Sequence, residues 1–116
     1  MMIEKENVLR SEKHRRIVAQ LPCASCKTEG QSQAAHRNEG KGGAIKACDS
    51  QIFPMCHHCH TLLDQSGKLK KGIRRAFEKR LVDETRSELQ ARGQWADAVE
   101  AAFVKVRTRE DHKPCA

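Results

Sequence analysis

The sequence predicts an α+β fold: a short two-stranded hairpin and a helix held by four cysteines, with a helical hairpin appended on the C-terminal side. Three observations carry that expectation. Two Cys-x-x-Cys pairs, Cys23/Cys26 and Cys56/Cys59, bracket a stretch rich in Cys, His, Gly and turn formers. Within it, residues 33–36 and 52–55 are the only segments suited to strands. From His57 onward, apolar residues recur at helical spacing.

Residues 1–10 are expected to fray. Ser11 is placed to cap a helix running to about Gln20, with Ile17, Val18 and Leu21 as its apolar side and Pro22 as its stop. The two strands follow, separated by the Gly-rich loop 38–43. A helix over 57–65 should end before Ser66-Gly67, where glycine can take a left-handed cap. A second helix carries Leu69, Ile73, Phe77, Leu81, Thr85 and Leu89 at steps of four, which draws one apolar stripe; Gly93 breaks it. A third places Trp95, Val99, Ala102, Phe103 and Val106 on one face, so the two stripes should meet as a helical hairpin. One domain therefore spans 1–116: a basic N-terminal segment (1–21), a metal-braced core (22–66), a helical extension (67–107) and a charged, loose tail (108–116).

Composition explains why a brace is needed. In 116 residues, Leu, Ile, Val and Phe number 21, and Phe53, Phe77, Trp95 and Phe103 are the only aromatics. So small an apolar core calls for a staple. No run approaches the 18 or so apolar residues of a membrane span, and the N-terminus shows no apolar signal core. A cytoplasmic, reducing compartment is therefore expected, with the cysteines serving as metal ligands rather than disulfides.

A two-residue spacer lets both thiolates of a knuckle turn to one ion, and two knuckles complete a tetrahedron. The four sulfurs leave no open position, which marks Cys23, Cys26, Cys56 and Cys59 as a structural Zn²⁺ site. A redox Cys-x-x-Cys would sit near a βαβ pattern, which is missing. Cys48 and Cys115 stand outside the tetrad and read as inert thiols.

An open site lies beside the staple. His60 and Asp64 are four apart on the predicted helix, so they share a face and can grip a divalent cation, Mg²⁺ or another, from one side. His36 ends the first strand, and Asp49, ahead of the second, is the candidate to orient its ring. His57 and His58 fit structural or solvent-facing roles better. A cation on His60 and Asp64, with His36 as general base, suits phosphodiester hydrolysis by an activated water.

Cys23-x-x-Cys26, Ala35-His36, the Gly-rich loop, Asp49 and Pro54-x-Cys56-x-x-Cys59-His60-x-x-x-Asp64 together resemble the HNH (ββα-metal, His-Me finger) endonucleases, in particular small prophage-encoded nucleases of the YbcO-like kind. The paired knuckles are also similar to those of phage recombination endonucleases. The resemblance spans about residues 20–66, a little under half of the chain. It implies a small zinc-stabilised ββα-metal finger, His36 as general base, His60 and Asp64 as ligands of the catalytic cation, and cleavage of DNA to 5′-phosphate and 3′-hydroxyl ends. It also implies a phage or prophage origin, with the bacterial host cytoplasm as the place of action. Two positions depart from the pattern. Ala35 stands where most members carry an Asp or His ligand, and Asp49 stands roughly where the middle Asn falls. These departures leave the cation to His60, Asp64, water and phosphate, or to a rearranged Asp49.

The net charge is +7. Seven of its basic residues (Lys68, Lys70, Lys71, Arg74, Arg75, Lys79 and Arg80) fall within 68–80 against one acid, Glu78. Like charges at helical spacing repel, so an unneutralised block points to a missing polyanion. Lys68, Lys70, Lys71, Arg74 and Arg75 are the candidate phosphate contacts, with Arg10, Lys13, Arg15 and Arg16 extending the groove. Few aromatics and no Tyr argue against single-strand stacking, so double-stranded or branched DNA is the expected partner. The rival reading is a non-catalytic zinc-ribbon DNA-binding or adaptor protein, in which His36, His60 and Asp64 are merely polar. A redox or metal-storage module would leave the helices and the charge without a use.

Overall fold

Ser11 starts the first helix, α1 (Glu12–Ala19), from an extended backbone with φ −138° and ψ 102°, and its hydroxyl accepts from His14 N at 3.1 Å. That bond satisfies one of the orphan donors of the first turn. The computed structural model describes residues 9–37, 48–65 and 71–111. The Gly-rich loop 38–43, the Ser66-Gly67 cap, residues 1–8 and Cys115 lie outside them.

Strand β1 (Ser32–His36) pairs antiparallel with β2 (Ile52–Cys56), with His36 opposite Ile52 and Ser32 opposite Cys56. Pleating sends Ala34, His36, Ile52 and Pro54 to one face and Ala35, Phe53 and Met55 to the other. The first face meets the α1 side: Ala34 and Ile52 pack with Val18, Leu21 and Leu89. The second meets the remaining helices through Leu63, Leu81, Val82 and Phe103. Helices on both sides explain why every residue of β2 is buried. The turn 23–28 also covers its edge, where Ala24 N donates to Pro54 O at 2.8 Å.

Helix α2 (His57–Gln65) leaves β2 with no intervening residue. Helices α3 (Lys71–Ala91) and α4 (Asp97–Asp111) follow. Between them Gly93 adopts a φ of 70°, Gly93 N donates to Gln90 O and Gln94 N to Leu89 O, which is a Schellman closure needing a left-handed residue. The two helices run antiparallel and meet through Phe103. The Arg86 and Arg107 guanidiniums lie 4.5 and 4.9 Å from its ring centre, while Arg107 Nη2 donates to Asp83 Oδ1 at 2.8 Å. The expected α+β class, hairpin, following helix and C-terminal helical hairpin are all present.

Three details depart from the sequence expectation. Ile73 is 55% exposed, because the covering core begins only at Phe77. Trp95 precedes α4 rather than forming part of it; its indole N–H donates to Glu100 Oε1 at 2.7 Å, and its ring meets Phe103 edge-on at 5.8 Å. Residues 108–111 continue α4 instead of starting a loose tail, since Arg107 anchors that turn to Asp83. No helix among the described residues is long and apolar enough to cross a membrane.

Candidate functional site

The four cysteines converge at one end of the hairpin. Cys23 and Cys26 lie in the turn before β1, Cys56 ends β2, and Cys59 sits in the first turn of α2. Their sulfurs all lie within 4.8 Å of one another, and Cys26 and Cys56 Sγ are 3.8 Å apart with no disulfide. Tetrahedral thiolates at about 2.3 Å from a zinc ion would sit about 3.8 Å from each other. Backbone N–H groups converge on the sulfurs: Ser25, Cys26 and Cys56 N donate to Cys23 Sγ at 3.4–3.5 Å, and Cys59 N donates to Cys56 Sγ at 3.5 Å. Lys27, in the left-handed region at φ 67°, closes the knuckle by donating its N–H to Cys23 O at 2.9 Å. Hydrogen bonding with Thr28 brings the pKa of the Cys26 thiol down to about 6, whereas burial and the neighbouring thiols push that of Cys59 up to about 12. Four thiolates this close cannot all carry charge without a cation among them. The cluster can bind a structural Zn²⁺.

His36 closes the other end of β1, on the α1 side of the hairpin. Its Nε2 lies 2.8 Å from Asp49 Oδ1. Asp49 is only 1% exposed, and its second oxygen accepts from Ser11 N at 2.7 Å and from Arg15 Nη1. Burial alone would raise the Asp49 carboxyl, but the Ser11 N–H, the His36 ring and the Arg15 guanidinium together hold it below the usual carboxylate range. An ionised acceptor requires a proton on Nε2, so the neutral ring keeps its lone pair on Nδ1. Sequence reasoning missed Ser11 and Arg15 as partners of Asp49. They lie 38 and 34 residues away, and no local pattern signals them.

On α2, His60 Nε2 stands 3.6 Å from Asp64 Oδ2, too long for a hydrogen bond and open enough for an ion between them. Asp64 Oδ1 also accepts from Arg74 Nη2 at 2.7 Å, and Arg74 Nε donates to the buried Glu78 at 3.0 Å. Arg74 is 19% exposed, and the two carboxylates hold its guanidinium firmly protonated despite burial. Leu63 fixes α2 against the Phe53 face, so the His60–Asp64 pair and His36 are carried by elements on opposite faces of the hairpin.

Of the expected phosphate contacts, Lys68, Lys70 and the side chain of Lys71 lie outside the described residues. Arg74 and Arg75 are half-buried on α3. His57 and His58 are exposed at the start of α2, with His57 Nε2 3.5 Å from Thr61 Oγ1. Cys48 is buried, its sulfur 3.1 Å from Ser50 Oγ and its side chain clustered with Ala102 and Val106. No family model, no curated protein and no solved structure matches this chain.

Proposed function

We propose that the chain is a metal-dependent DNA endonuclease in which His36 is the general base. The observation that supports this reading most is the His36–Asp49 hydrogen bond at one end of a hairpin whose other end gathers four cysteines. Asp49 holds Nε2, and His36 Nδ1 is left to take a proton from water as that water attacks phosphorus in line. The 3′ oxygen leaves, giving 5′-phosphate and 3′-hydroxyl ends. His60 and Asp64 would hold a divalent cation on the opposite face of the hairpin from His36, so the DNA has to pass around the hairpin for that cation to supply positive charge to the phosphate and the leaving oxygen. Basic residues of α1 and α3 would contact the DNA backbone.

A second reading has its own support. Asp64 is already shared with Arg74, so the pair can equally be a structural ion pair in a non-catalytic, zinc-braced DNA-binding protein. Nicking of supercoiled plasmid separates the two. The nuclease reading expects cleavage that needs Mg²⁺ or Mn²⁺ and falls by about 10²–10⁴-fold in His36→Ala with folding retained. If His36→Ala cuts as well as the parent, His36 is not the base. Salt-sensitive DNA retention with no cleavage under any divalent metal establishes the binding protein.

A further inference from the structure

We propose that Arg15 is a positioning residue for His36, acting through Asp49. The inference rests on reading His36 as a general base, and it adds α1 to the parts that prepare the ring.

The geometry divides the Asp49 carboxylate between two tasks. Oδ1 receives His36 Nε2 at 2.8 Å, and Oδ2 receives Ser11 N at 2.7 Å together with Arg15 Nη1. With Asp49 1% exposed, Oδ2 is served by these two donors and not by bulk water. A buried carboxylate served by an imidazole alone would be free to rotate about its Cβ–Cγ bond, or to lose its charge by protonation. In either case His36 would lose the acceptor that keeps the proton on Nε2. The Arg15 cation opposes both outcomes, because its N–H is directed at one oxygen and its charge favours the ionised form.

Helix α1 is arranged to deliver that group. Ser11 caps the helix through its hydroxyl while its backbone N–H holds Asp49, and Arg15 follows one turn later, with Arg15 N donating to Ser11 O at 3.1 Å. Both donors to Oδ2 thus come from a single helical turn. That turn is fixed against the hairpin by Val18, which packs on Ile52, the cross-strand partner of His36. Arg16, one residue further along the same basic segment, pairs instead with Glu12, its Nη2 2.6 Å from Glu12 Oε2.

The test reads the ring itself. In the zinc-loaded full chain with ¹⁵N-labelled histidine, long-range ¹H–¹⁵N spectra of the neutral ring should show the Nε2–H tautomer with an unprotonated Nδ1. Arg15→Met and the milder Arg15→Gln should raise the ratio of Nδ1–H to Nε2–H forms about tenfold, while Arg15→Lys, which keeps the charge, stays near the parent. Should Arg15→Met fail to fold, Arg15→Gln carries the comparison. A folded Arg15→Met or Arg15→Gln whose His36 tautomers match the parent, even with a lower melting temperature, overturns the proposal and leaves Arg15 as a stabilising ion pair only. Because no turnover enters the readout, a chain that never cuts DNA would defeat the nuclease reading while these spectra still decide the role of Arg15.

Discussion

Arg74 joins α3 to α2 by donating from Nη2 to Asp64 Oδ1 at 2.7 Å, and the same guanidinium serves Glu78 through Nε at 3.0 Å. One cation therefore bridges an exposed carboxylate and a buried one. A lysine has no fork with which to serve both. In Arg74→Lys, the ammonium should stay with Glu78, which is 1% exposed, and leave Asp64, 51% exposed, to His60. Loss of one partly exposed charge-assisted bond is worth about 1 kcal/mol. Mn²⁺ should therefore broaden the His60 resonances at several-fold lower concentration in Arg74→Lys than in the parent. Equal broadening would mean that His60 and Asp64 do not share a cation.

What was legible in the sequence follows from how locally each feature is encoded. The Ser11 cap, the two short strands and the bounds of α2 depend on neighbours a few residues apart, and the cysteine spacing carries its own geometry. Ile73 and Trp95 fit a helical stripe by spacing alone. Their burial and helix membership depend on where the core stops and on the Gly93 closure, which spacing does not encode. The links of Asp49 to Ser11 and Arg15, and of Asp64 to Arg74, join polar residues brought together by the packing of separate elements. Nothing in a one-dimensional pattern distinguishes these arginines from the others of the chain.

The cysteine cluster should account for much of the stability. Structural zinc in small finger peptides is worth on the order of 10 kcal/mol, comparable with the whole stability of a domain. Cys56→Ser, or a strong chelator, is expected to abolish the single tightly held zinc and the cooperative thermal transition together. Cys48→Ser serves as the control, because its buried sulfur meets Ser50 rather than the cluster. That variant should keep one zinc per chain and lose only about 1 kcal/mol.

Arg86 and Glu100 tie α3 to α4 by two parallel bonds, Nε to Oε1 at 3.0 Å and Nη2 to Oε2 at 2.6 Å, and the Trp95 indole adds a third at 2.7 Å. The Arg86 guanidinium, followed by the indole N–H, holds the Glu100 carboxyl below its ordinary value. Glu100→Gln keeps an acceptor for Trp95 but loses the ionic fork, and should cost about 1–2 kcal/mol in urea unfolding. Adding Arg86→Met should then cost less than Arg86→Met does in the parent. Strict additivity would show that the two groups do not act as a pair.

Two buried groups set opposite ends of the acid limb. Asp49 has its carboxyl pKa lowered in the folded chain, despite burial, by Ser11, His36 and Arg15. Its stabilisation is therefore fully present above the ordinary carboxylate value of about 3.9 and is lost as pH falls through the lower folded value. His14 is also buried; burial lowers its pKa, partly offset by the charge of Asp49, and its Nε2 has no hydrogen-bond partner among the described residues. A neutral buried imidazole is stable above the ordinary histidine value of about 6.5, and folding weakens as pH drops below it, because the unfolded chain takes up the proton first. His14→Leu should thus flatten the loss of stability between about pH 6.5 and 5 while leaving the fall below about pH 4 in place. Asp49→Asn should lower stability by about 3 kcal/mol near neutrality, and the gap to the parent should begin to narrow only as pH falls below about 4. Urea midpoints measured from pH 3 to 7 check both windows. A gap between Asp49→Asn and the parent that widens in acid would mean that Asp49 is folded in its protonated form, and that it holds His36 by a different bond from the one described.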